Sequence, residues 1–169
     1  MVKFGTTMNL ISEKSLRQIE PIPLDPLLFR PFGQVIYPTP DGKLWDDTDA
    51  RLELDQGVPR LYIMTLEHCG LTFDRITRHQ RCTQCLGAIG GEEWFLGVAR
   101  PDIPPDRLAA EDITLWRIVG HCLIKLELGT WHAGPFFQAP RLNFFNLELS
   151  DTNVTDHFSV TLAERIAIH

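Results

Sequence analysis

The sequence has no apolar run approaching the ~20 residues of a membrane-spanning helix, and it has little helical periodicity of any kind. It also lacks a basic run. With a formal net charge of -6, the chain suits neither the phosphate backbone of nucleic acid nor an anionic membrane surface. The first 16 residues hold Lys3 but no apolar core followed by small residues, so no secretory leader is expected there and a cytoplasmic location is. Cysteine is sparse: Cys69, Cys82, Cys85 and Cys122. In a cytoplasmic protein these are expected to be reduced. Cys82 and Cys85 form a C-x-x-C pair, but there is no second pair to complete a zinc ribbon. Nor does the pair open a helix as a thioredoxin-type site does. It sits among strand-like segments, where positions three apart point to opposite faces, so buried structural thiols are expected.

The sequence does carry ordinary globular material. Its 169 residues, 44% hydrophobic and 22% charged, exclude global disorder and collagen-like structure. They suit one domain over residues 1–169, large enough to fold without a metal or disulfide staple. No repeat, low-complexity tract or linker interrupts it. Helix is expected only over residues 12–19 and as a short turn near 107–110. Pro21, Pro23, Pro26 and Pro31 break up the segment that follows the first of these. Elsewhere short strands alternate with turns, over residues 60–66, 71–78, 93–99, 113–119, 122–128, 131–137, 141–149 and 158–162. Glycines at 70, 90–91, 120 and 129 mark turns between several of them, and the proline-rich stretch 100–111 reads as a surface loop. Many short strands and few helices predict an all-β fold, an antiparallel β-barrel or jelly roll with few short helices. A small barrel of this kind can hold one small ligand.

Strand alternation then sorts the polar residues. If Leu71 and Phe73 face inward, Arg75, Thr77 and His79 line the same face further along, apolar at one end and polar at the other. Gln84 follows after a short turn, and His132 lies just past the turn Gly129-Thr130. Phe144, Asn146 and Glu148 repeat the mixture on a second strand. Trp94, Trp131, Phe136 and Phe137 offer aromatic walls. A concave apolar site with a few convergent polar groups is the usual small-molecule pocket. The plainer alternatives are core packing for the aromatics and a rim position for His79.

The segment Thr77-Arg78-His79-Gln80-Arg81-Cys82-Thr83-Gln84 reads R-H-x-x-x-T-Q. Gly91-Glu92 and an apolar strand follow it, then Gly129-Thr130-Trp131-His132 and Pro135, with Phe32-Gly33-Gln34-Val35-Ile36 upstream. In order and spacing this resembles the ureidoglycolate lyase family, also called ureidoglycolate hydrolase, over about residues 32–148. Residues 59–64 and 145–148 are more similar to its plant and cyanobacterial branch. The resemblance implies a cupin-like barrel, a homodimer and no cofactor. Two positions depart from the bacterial pattern: Thr77 stands where Glu is common, and Met64 stands near an expected arginine. Arg75 offers a cation from a different position.

The resemblance further implies the cleavage of ureidoglycolate, a hemiaminal bearing a carboxylate, to glyoxylate and urea in purine (allantoin) catabolism. That chemistry needs a base for the hydroxyl proton, an acid for the departing nitrogen and a cation for the carboxylate. His79 and His132 suit the proton transfers, with Glu148 as a partner. Arg75, favoured by alternation, or Arg78, favoured by the motif, would grip the carboxylate. Gln84 would bind the ureido group, and Trp131 and Asn146 would complete the substrate site. No activated Ser or Cys nucleophile accompanies them. Two other functions remain open. One is a metal-dependent cupin enzyme using His79, His132 and His157 or Glu148, though the H-x-H of such sites is missing. The other is a non-catalytic barrel that binds small carboxylates.

Overall fold

The computed structural model describes residues 14–169. With 46% of these in strands and 7% in helix, the protein is a mainly β, barrel-like fold with few short helices. Its strands are β1 (Leu16–Ile19), β2 (Ile22–Pro23), β3 (Gly33–Ile36), β4 (Pro59–Glu67), β5 (Thr72–Arg78), β6 (Gln84–Ala88), β7 (Trp94–Ala99), β8 (Thr114–Ile118), β9 (Leu123–Leu126), β10 (Trp131–Phe136), β11 (Arg141–Leu149) and β12 (Phe158–Ile168). Two one-turn helices, α1 (Pro26–Phe29) and α2 (Thr152–Thr155), and a 3₁₀ turn at Ala110–Asp112 complete the elements.

Seven strands form one sheet in the order β1-β12-β5-β10-β7-β8-β2, and five form the other in the order β3-β9-β6-β11-β4. One of the two sheets is curled into a half-barrel. The edge strands of the larger sheet, β1 and β2, are consecutive in the chain, separated only by Glu20 and Pro21, so this short segment ties one edge of the sheet to the other. Both edge pairings are parallel, and all the interior ones are antiparallel. Covering both edges in this way leaves fewer unpaired backbone groups open to other chains.

Alternation sets which side chains meet between the sheets. Trp94, Leu96 and Val98 of β7 and Trp116 and Ile118 of β8 face Leu86 of β6, Ile124 and Leu126 of β9, and Leu142 and Phe144 of β11. α1 closes one end of this core by burying Phe29 edge-on against Trp116. Asp25 caps it, accepting from the Leu27 and Leu28 amides, while Pro26 opens the first turn. A second apolar cluster lies on the other face of the large sheet. There Phe73, Ile76, Phe95, Leu115, Trp131 and Phe136 pack under the 100–113 loop and β12.

Residues 16–19 of the expected helix over 12–19 are strand β1, and residues 12 and 13 lie outside the described residues. A four-residue apolar/polar segment carries too little periodicity to choose helix over strand, and here the parallel partner β12 decides. The short turn expected near 107–110 forms slightly later, as the 3₁₀ turn. α1 occupies the proline-broken segment because Pro26 stands at its first position, where no amide hydrogen is needed. Gly33 of β3, part of the upstream motif, sits where a Cβ would lie 1.9 Å from the Lys125 carbonyl oxygen, so only glycine fits the approach of β3 to β9.

Candidate functional site

A cavity of about 170 Å³ opens at the polar end of the space between the two sheets. From the small sheet, Tyr62, Met64 and Leu66 of β4, Gln84 and Leu86 of β6, and Asn146 and Glu148 of β11 line it. From the large sheet come His132, Gly134 and Pro135 of β10, and His79 just past β5. Asn153 and His157 reach in from the α2 segment. The expected residues His79, His132, Gln84, Asn146 and Glu148 therefore face one space. The inward positions of β11 run from Leu142 and Phe144 in the apolar core to Asn146 and Glu148 in the cavity, each of the last two only 1% exposed.

Buried polar groups need partners, and these form a closed ring. Gln84 Nε2 donates to Asn146 Oδ1 (3.1 Å) and to Glu148 Oε2 (3.2 Å). Asn146 Nδ2 donates to the Tyr62 hydroxyl (3.0 Å), which donates in turn to Glu148 Oε1 (3.2 Å). Asn153 Nδ2 donates to the same oxygen at 3.4 Å. The Arg60 guanidinium lies 3.7 Å over the centre of the Tyr62 ring and holds it from outside. Burial pushes the Tyr62 phenol above its ordinary range, so it keeps its proton and acts as a donor.

Opposite this ring stand three imidazoles. The His79 and His132 ring centres are 5.0 Å apart, and His157 is 5.8 Å from His79. His132 Nδ1 is 3.1 Å from the Thr130 carbonyl, and His79 Nδ1 bonds the Asp156 carbonyl. A carbonyl only accepts, so Nδ1 carries the hydrogen on both rings, and in the neutral ring Nε2 is left with the lone pair. Burial, then the charge on His79 and His157, pushes the His132 pKa down from 6.5 to about 3, against a smaller opposing pull from the Thr130 carbonyl. His132 thus stays neutral at ordinary pH.

This shift has a sign that can be checked. The unfolded chain binds a proton at His132 near pH 6.5, while the native state refuses it until about pH 3. The stability it contributes is full above pH 6.5 and is lost as pH falls from there toward 3, at up to about 1.4 kcal/mol per pH unit. Urea denaturation at stepped pH should show a shallower acid loss for His132→Gln than for the wild type. Parallel curves would mean that His132 titrates normally.

Other expected site residues do not reach the cavity. Arg75 is exposed. Phe73 and Ile76, three apart, bury in the same cluster, so the alternation of β5 breaks between them. The partner strand shows the cause: β12 pairs regularly up to Thr161↔Arg75 and resumes only at Ile166↔Phe73, five residues against two. Arg78 points to the far face of the large sheet, its guanidinium 4.4 Å over Trp131 and 5.4 Å from the Phe158 ring centre. Trp131 is fully buried there, with its indole N–H donating to the Ile103 carbonyl. Neither arginine nor Trp131 lines the cavity, and among the described residues no Lys or Arg side chain does. The aromatic walls are core instead, Trp94 and Phe137 between the sheets and Phe136 behind the larger one. Thr77, directly opposite His132 in the sheet, bonds Ser159 through its hydroxyl.

Sequence reasoning did not single out Tyr62, although Tyr62, Met64 and Leu66 follow strand alternation, because its meeting with Asn146 depends on the β4–β11 register. Asn153 lies in α2 and Asp156 just after it, and nothing local in the sequence marks either as a site residue. Cys82, Cys85 and Cys122 are buried free thiols, and Cys69 is an exposed one. Cys85 points away from the cavity-lining Gln84, and burial pushes its thiol up to about 11. Among the described residues, no group of three or more His, Cys, Asp or Glu side chains is arranged to hold a metal ion. Compared with the models of known protein families and with curated proteins, the chain matches none.

Proposed function

We propose that the cavity is an acid–base active site that cleaves the carbon–nitrogen bond of a small ureido hemiaminal, ureidoglycolate, to glyoxylate and urea. The observation that carries this is the pairing of His79 and His132 side by side in one small cavity. Each has Nδ1 tied to a carbonyl and Nε2 free, and the Gln84–Asn146–Tyr62–Glu148 ring of hydrogen-bonding groups stands opposite.

In this reading His132 Nε2 takes the hydroxyl proton of the substrate. The O–H electron pair becomes the carbonyl of glyoxylate as the carbon–nitrogen bond breaks. The departing nitrogen receives a proton from His79 in its imidazolium form, and urea leaves whole. The polar ring offers acceptors for the ureido N–H groups, Glu148 foremost. With no arginine in the cavity, the substrate carboxylate rests at the mouth against the exposed His157 ring and the Asn153 amide. A bound carboxylate also favours the charged form of His132, raising its pKa toward the range where a base works well at neutral pH. No covalent intermediate is required.

The test is product analysis. Purified protein given ureidoglycolate should release urea and glyoxylate in equal amounts, and should do so after exhaustive chelation. Ammonia in place of urea would assign a hydrolase. Activity lost on chelation and restored by metal would assign a metal-dependent enzyme. An absence of turnover would leave a binding barrel.

A further inference from the structure

The turn after β5 and the α2 segment are fastened to each other by one residue. The Asp156 carboxylate accepts from the Gln80 amide (2.8 and 3.0 Å to its two oxygens) and from the Arg81 amide (2.8 Å). The carbonyl of the same residue accepts from His79 Nδ1. Arg81 adds a second tie, donating to Asp151 (3.1 Å), to the Thr155 hydroxyl (2.5 Å) and to the Gln56 carbonyl (2.7 Å). The cluster joins residues more than 70 positions apart, and Asp156 contacts three consecutive residues of the turn that begins with His79.

We infer that Asp156 is the positioning residue for His79: its carboxylate grips the Gln80 and Arg81 amides, and that grip holds its carbonyl on Nδ1. The imidazole is thereby fixed in the tautomer and orientation that leave Nε2 to the cavity. Asp156 does not line the cavity and acts only through His79. The role in turnover rests on the acid–base reading above, whereas the tautomer does not.

Long-range proton–nitrogen NMR of the full chain, with His79 assigned by its loss in His79→Gln, tests the inference without any substrate. At a pH high enough to hold the ring neutral, wild-type His79 should show a protonated Nδ1 and an unprotonated Nε2. In Asp156→Ala it should move to a mixture of tautomers, and Asp156→Asn, which keeps one carbonyl acceptor, should restore most of the wild-type pattern. If the alanine variant does not fold, Asp156→Ser, which keeps a hydroxyl acceptor for a single amide, should show a smaller shift in the same direction. An unchanged His79 spectrum in the folded Ala or Ser variant, or a neutral wild-type His79 with its hydrogen on Nε2, would overturn the inference. In the turnover assay, Asp156→Ala should lose about tenfold to a hundredfold in kcat with KM little changed, the scale of a misplaced catalytic group. Wild-type protein that turns over no substrate but shows the expected tautomers would sink the enzymatic reading and leave the positioning role standing.

Discussion

His132→Ala is expected to lose at least ~100-fold in kcat on ureidoglycolate, the scale for removing a general acid or base. The Nε2 lone pair of His132 faces the cavity because its Nδ1 is committed to the Thr130 carbonyl, and His79 stands 5.0 Å away as the complementary group. Alanine also removes packing, so His132→Gln is the cleaner variant: it fills much of the same space and cannot take up the proton. Both should fall together in kcat while far-ultraviolet circular dichroism stays native. Arg75→Ala supplies the contrast. Its side chain is exposed and away from the cavity, so its kinetics should remain within about twofold of the wild type, as for most surface substitutions. Full activity in His132→Ala would remove the mechanism even if urea were the product. A large loss in Arg75→Ala would restore an arginine to the site.

Phe144→Ala is expected to cost about 3–5 kcal/mol of stability, the range for truncating a fully buried aromatic. Phe144 is 0% exposed and packs edge-on against Trp94 at 5.3 Å and near Phe137 at 5.9 Å, at the centre of the inter-sheet core. It lies on β11, which pairs with β4 on one side and β6 on the other, so the void left behind cannot close by moving one edge strand. Two residues further along the same face, Asn146 enters the cavity. The loosened strand should therefore also weaken the Gln84–Asn146–Tyr62 hydrogen bonds. Guanidinium denaturation of the two proteins measures the difference directly. A loss below about 1 kcal/mol would mean that the two sheets do not share one tightly packed core.

What the sequence determined by itself is what depends on neighbouring residues. Glycine turns and β-rich runs placed β4, β5, β7, β8, β9, β10 and β11 close to their observed positions. The alternation of Phe144, Asn146 and Glu148 was legible because extended backbone sends successive side chains to opposite faces whatever else the chain does. Tertiary structure decided everything that depends on which strands become partners. β1 is a strand because residues 16–19 find β12 some 150 positions later. Arg75 lost its inward place because β12 spends five residues against two of β5, a bulge visible only across the pair. Arg78 turned to the far face, where Trp131 and Phe158 offer their rings. Tyr62 joined Asn146 through the β4–β11 register, and Asp156 met His79 across 77 residues of chain. Alternation is a local property of the backbone. Register and sheet order are set by how the whole chain covers its apolar faces and satisfies its buried polar groups.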